Sequence, residues 1–180
     1  ISIVFLAMVY LPTESIVLPK YFSDIDDPRG LGYVLSSMAA GGIATTLAYP
    51  KLVKHFKKRS IVIGSLAATS LAMIPMTLFP PIGLFVLAGF LLGLGWGPMN
   101  PLMNSMVQQR VAPHIQGRVF GVQTSLFYAS GPIGMFVTGV SVDAFGVRPV
   151  YIAAVSILIV FQLFIMFLPD LHDLDREPTY

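Results

Sequence analysis

Apolar residues run along this chain in stretches of about twenty, each cut off by a short cluster of proline, glycine or charge. Six such stretches can be marked, at residues 1–19, 31–50, 60–79, 82–109, 118–142 and 149–168. A helix rises 1.5 Å per residue and needs roughly 20 apolar residues to cross the hydrocarbon of a bilayer, so every stretch has a spanning length. Between them lie Lys20 to Gly30, Pro50 to Arg59, Pro80-Pro81, Arg110 to Gly117 and Asp143 to Arg148, and a polar tail covers 169–180. The pattern predicts an all-α integral membrane protein, a six-transmembrane-helix bundle over residues 1–168.

Composition strengthens this reading. Charged residues make up 11% of the chain and hydrophobic ones 55%, with a mean hydropathy of +0.77. Soluble domains carry about a quarter charged residues. A formal charge of +2, scattered along the chain, excludes the concentrated basic face that nucleic acid requires. The chain has no cysteine, and His55, His114 and His172 lie far apart in expected loops or tail, so no metal site is expected. The chain opens Ile1-Ser2-Ile3-Val4-Phe5 with no basic segment ahead of the apolar stretch, unlike a signal peptide. It is expected to begin inside a helix, as a fragment truncated at its N-terminus.

Lysine and arginine give an expected orientation. The second connection holds Lys51, Lys54, Lys57, Lys58 and Arg59, and the fourth holds Arg110 with Arg118 at its edge. The alternate connections hold only Lys20, Arg29 and Arg148. The positive-inside rule places the two basic connections, and with them both chain ends, in the cytoplasm of a multi-pass cell-membrane protein.

Polar residues within the spans are unevenly shared. The first carries Glu14, the fourth Asn100, Asn104, Gln108 and Gln109, and the fifth Gln123 and Tyr128; the third and sixth hold almost none beyond Gln162. Polar groups in hydrocarbon are costly and should face a cavity or a neighbour. The first, second, fourth and fifth spans are therefore expected to line a pathway, with the third and sixth as lipid-facing supports. Glu14, the one acidic side chain within a span, lies about 7.5 Å from the end of its helix. It is either a protonatable group or a carboxylate that snorkels to the interface or bonds a neighbouring helix. Asn100, Asn104 and Gln108 share one helical face at spacing four, with Met99, Met103 and Met106 beside them. Such a face suits an adaptable amphipathic ligand or interhelical hydrogen bonds.

Gly89, Gly93 and Gly97 also recur at spacing four, the pattern that lets helix backbones approach, and Pro98 and Pro101 should then kink the helix. Gly93-Leu94-Gly95-Trp96-Gly97 lies mid-span with no strand before it, which excludes a nucleotide-binding loop. Gly131-Pro132-Ile133-Gly134 is a further kink and close-packing element.

Gln108-Gln109-Arg110-Val111-Ala112-Pro113 and Gln116-Gly117-Arg118-Val119-Phe120-Gly121, followed by Gly131-Pro132-Ile133-Gly134, resemble the tenth and eleventh helices of bacterial drug exporters of the major facilitator superfamily, the branch of macrolide and multidrug proton antiporters. The resemblance runs from Ile1 to Leu168, as helices seven to twelve. It implies half of a twelve-helix fold, a central cavity, no cofactor beyond the proton motive force, and alternating access. Its partners would be a small-molecule substrate, protons, the lipid bilayer and a missing N-terminal six-helix half. Glu14 would then couple protons, Asn100, Asn104, Gln123 and Tyr128 would line the substrate cavity, and Gly117, Arg118, Gly121, Gly131, Pro132 and Gly134 would be structural. The superfamily's Gly-x-x-x-Asp-Arg-x-Gly-Arg loop keeps only its basic end at Lys51 to Arg59, while Gly139, Asp143, Gly146 and Arg148 form a looser version after the fifth span.

The reading is thus a proton-coupled exporter of small amphipathic compounds. The alternatives are a substrate:proton uptake symporter, which Glu14 would serve equally, and a non-transporting scaffold, which the polar, kinked fourth span argues against. No nucleophile and base stand together, so an enzyme is not expected.

Overall fold

The computed structural model describes residues 9–78 and 81–166. The expected polar tail at 169–180, His172 and the first eight residues of the first span lie outside them. The described chain is helical throughout: α1 (residues 9–24), α2 (Pro28–His55), α3 (Lys58–Met76), α4 (Ile82–Trp96), α5 (Met99–Arg110), α6 (Pro113–Phe145) and α7 (Val147–Met166). Helices α4 and α5 are the two parts of the fourth span, parted at Gly97-Pro98. Among the described residues, five helical stretches are long and apolar enough to cross a membrane: Pro28–His55, Lys58–Met76, Ile82–Arg110, Pro113–Phe145 and Val147–Ile165.

Three helices outrun the apolar stretches that mark them: the first runs on past Pro19 to Asp24, so Glu14 lies about 15 Å from its end and not 7.5 Å. The second continues through Pro50 to His55. A proline removes one intrahelical hydrogen bond, here to the exposed turn around Thr46, and the helix survives that loss. Lys51, Lys54 and His55 then fall in its last turns, where cations favour the helix dipole. The fifth span starts at Pro113, a residue whose fixed φ suits the first helical turn, so the fourth connection shrinks to Val111-Ala112. His55 and His114 accordingly belong to helices, and no cluster of metal-ligating side chains occurs among the described residues.

Helix α4 is the hub, packed between α2 and α3. Its glycines are the reason. A Cβ on Gly93 would overlap the Met38 carbonyl oxygen and crowd the Gly42 nitrogen, one on Gly89 would meet Ser37 and Val34, and one on Gly97 would strike Thr45. Gly41 of α2 answers from the other side, against the backbone of Phe90 and Leu94. The spacing-four glycines therefore form one seam of backbone contact along α2. Gly95, on the opposite face, lies against Ser65 and Thr69 of α3.

At the end of the bundle where α1 meets α2, Tyr21 stacks on Phe85 at 5.5 Å and Phe22 meets the same ring edge-on, tying α1 to α4. The Asp27 carboxylate there accepts from the Gly30 N–H at 2.9 Å, an N-cap that starts α2. Between α3 and α7 the Ser70 hydroxyl donates to the Gln162 side-chain oxygen, and Gln162 is buried.

Candidate functional site

Helix α1 is α-helical at both ends but π-helical over Thr13–Val17, and the Leu18 N–H reaches back five residues to the Thr13 carbonyl. The cause is local. Pro12 offers no N–H, and the Thr13 hydroxyl donates to the Val9 carbonyl at 3.0 Å, so the ordinary ladder is disturbed at this turn. Wide turns of this kind occur frequently at functional sites. Glu14 is the second residue of the wide turn.

From there Glu14 faces a cleft of about 780 Å³ between α1, α2 and α4, into which Asn100 at the start of α5 also projects. The walls include Tyr10, Met38, Ile43, Thr46 and Trp96. Glu14 is the one charged side chain among the described lining residues. Tyr10, one turn back on α1, lines the same cleft beside it. The Tyr10 ring in turn lies against Trp96, with centroids 4.5 Å apart and planes tilted by 39°. The Trp96 indole N–H is shielded from solvent and meets no acceptor among the described residues. A buried donor without a partner costs about 1–3 kcal/mol.

Two of the expected site residues, Glu14 and Asn100, are thus brought together. Asn104 is exposed one turn further along α5; Gln123 is half-buried and Tyr128 exposed on α6, and none of the three lines this cleft. Gly131 is buried against Leu11 of α1, where a Cβ would come to 3.5 Å, and α6 runs on through Pro132. Gly134 is buried too, whereas Gly117 and Gly121, on either side of Arg118, have open space before them.

Tyr10, Trp96 and Thr46 are the residues that sequence reasoning missed. Tyr10 stands four residues before Glu14, a helical neighbour, and that spacing was the available signal for it. Trp96 was legible only as part of a glycine run, because its partner lies on another helix.

The break between α4 and α5 is held by polar contacts to the helices on either side. The Thr46 hydroxyl donates to the Gly97 carbonyl at 2.9 Å, Tyr49 and Ser105 share a hydrogen bond at 3.2 Å, and the Lys58 ammonium donates to Gln109. The glycine seam fixes α4, and these side chains fix α5.

Residues 1–135 match the family model of the Major Facilitator Superfamily. The multidrug efflux pump Tap of Mycobacterium tuberculosis (strain ATCC 25618 / H37Rv) is 35% identical over 170 residues, which is 94% of this chain and 41% of that protein. Multidrug efflux pump Tap of Mycolicibacterium fortuitum is 32% identical over 167 residues, with 93% and 41% covered. An uncharacterized MFS-type transporter, YuxJ of Bacillus subtilis (strain 168), is 24% identical over 128 residues, 69% of this chain and 33% of its own. The chain therefore spans about two fifths of the length of the efflux pumps it resembles. No solved structure matches it significantly.

Proposed function

The chain belongs to the Major Facilitator Superfamily, and from that membership we propose that it forms one six-helix half of a proton-coupled exporter of small amphipathic compounds. Two efflux pumps similar over nearly all of its length support export over uptake. The observation that carries the reading is the cleft: one carboxylate, Glu14, in an otherwise uncharged wall of aromatic, thioether and amide groups.

That composition suits both tasks of an antiporter. The apolar wall accepts an amphipathic compound with little demand for fixed geometry, and Asn100 supplies a donor and an acceptor. Asn104 and Tyr128, exposed, and Gln123, half-buried, stand on α5 and α6 and would meet the same compound where the other half closes the cavity. The carboxylate supplies the coupling. In the proposed cycle it takes up a proton in one conformation and gives it up in the other. Each conformation of an alternating-access cycle thereby holds Glu14 in a different protonation state.

The test is Glu14→Gln in the transporter assembled from both halves, assayed in everted membrane vesicles. The amide keeps shape and hydrogen bonding but has no proton to release. Substrate binding should persist while transport driven by an imposed pH gradient is lost. Undiminished pH-driven transport by Glu14→Gln would assign coupling elsewhere.

A further inference from the structure

We propose that the Trp96 indole N–H is a hydrogen-bond donor for the ionised Glu14 carboxylate, engaged in the conformation of the transport cycle that follows proton release. The inference rests on the coupling role given to Glu14 above and adds the residue that positions its charged form.

Three observations meet here. The Trp96 N–H is desolvated and has no acceptor among the described residues, although an indole N–H can only donate and seldom stays unpaired when buried. Its ring lies against Tyr10, and Tyr10, Trp96 and Glu14 line one cleft, so indole and carboxylate belong to one cluster. Glu14 itself stands in the π-helical stretch Thr13–Val17, the one irregular turn of α1 among the described residues. A π turn that reverts to α geometry turns the side chains it carries relative to the neighbouring helix, and Trp96 ends at the Gly97-Pro98 break, the joint of the fourth span.

A neutral carboxyl makes little demand on its surroundings. An anion in a cleft with no cation on its walls needs donors, and Trp96 offers a buried one that has no acceptor among the described residues. The titratable groups around Glu14 are Tyr10 on its own helix and, behind it, Tyr151 of α7; the described residues of α2, α4 and α5 that line the cleft carry none. A donor that waits without a partner in one conformation and finds the anion in the other favours the second conformation once the proton has left. Protonation is thereby linked to shape through one hydrogen bond.

Trp96→Phe keeps the ring on Tyr10 and deletes the donor. In the assembled transporter, the pH profile of transport should shift upward by about one pH unit, because the ionised form loses a hydrogen bond and releases its proton less readily. In a Glu14→Gln background the same substitution should produce no further shift. A Trp96→Phe transporter slowed equally at every pH, with its midpoint unmoved, would overturn the proposal and make Trp96 a packing residue.

A second measurement leaves Trp96 in place. It is the single tryptophan of this chain, so with tryptophans of the other half changed to Phe its emission reports on the indole alone. The emission should titrate with pH, and the titration should vanish in Glu14→Gln. A titration that survives Glu14→Gln, or none in either protein, would also overturn the proposal. Loss of the coupling reading is a separate result: Glu14→Gln itself would then retain pH-driven transport.

Discussion

At the residue scale the glycines divide by what stands in front of them, and the division predicts their tolerance. Gly93 has backbone on the far side of its Cα, the Met38 carbonyl, and backbone cannot swing aside as a side chain does. Gly64 of α3 has nothing within 4 Å. Gly93→Ala should destabilise the bundle by about 1–3 kcal/mol or more, since overpacking at a backbone contact forces α2 and α4 apart. Gly64→Ala should be neutral or stabilising by a few tenths to about 1 kcal/mol, from helix propensity alone. Thermal unfolding in detergent, followed by size-exclusion chromatography, separates the two; equal midpoints would mean that the seam is not a close contact. The spacing of Gly89, Gly93 and Gly97 announced a seam in the sequence. The partner helix was not legible, because spacing along one helix says nothing of the face another presents. Gly117 and Gly121 show the converse: within this chain no neighbour requires them small.

At the scale of elements, the spans were legible as apolar stretches and their ends were not. Hydropathy falls at Pro50 and at Arg110, but backbone hydrogen bonding continues past the first and resumes by Pro113, since a helix ends for reasons of geometry and not of polarity. The wide turn at Thr13–Val17 was illegible for the same reason: it arises from a lost N–H at Pro12 and a competing Thr13 hydroxyl, which periodicity does not register. Gln162 stood out as the polar exception of the sixth span, and the fold explains it through Ser70 on α3. Ser70→Ala should therefore destabilise the α3–α7 contact by about 0.6 kcal/mol, and by no more than about 2, as for other hydrogen bonds between helices in membranes. Ser70→Ala combined with Gln162→Leu should recover most of the loss, because no buried amide is then left without its partner. A double-mutant cycle on unfolding in mixed micelles measures this directly. Strictly additive effects would show that the two side chains do not interact.

At the scale of the whole molecule, the described burial is lopsided. Helix α4 is enclosed by α2 and α3, while α6 exposes Val122, Leu126, Tyr128, Phe136 and Val140 along its length and α2 exposes Tyr33, Ile43 and Leu47. In the proposed assembly the exposed faces of the second and fifth spans would meet the second six-helix half, and the exposed apolar residues of the other spans would meet lipid. The turns divide by charge as well. Lys51, Lys54, Lys57, Lys58 and Arg59 gather around the α2–α3 turn, and Arg110 and Arg118 flank the α5–α6 turn, at the same end of the bundle, as the bond from Lys58 to Gln109 shows. The α1–α2 turn, Ile25 to Asp27, holds only acid and apolar side chains, and Lys20 nearby is paired with Asp24 at 2.7 Å. Basic residues next to spans are retained in the cytoplasm during insertion, so the α2–α3 turn should face the cytoplasm and the α1–α2 turn the exterior. This chain has no cysteine, so with any cysteine of the other half changed to Ser the test is clean: Ser60→Cys at the start of α3 and Ser23→Cys at the end of α1 replace exposed residues of nearly equal size. An impermeant thiol reagent added to intact cells should label Ser23→Cys and spare Ser60→Cys until the membrane is permeabilised. The reverse labelling would place the α1–α2 turn in the cytoplasm and invert the bundle.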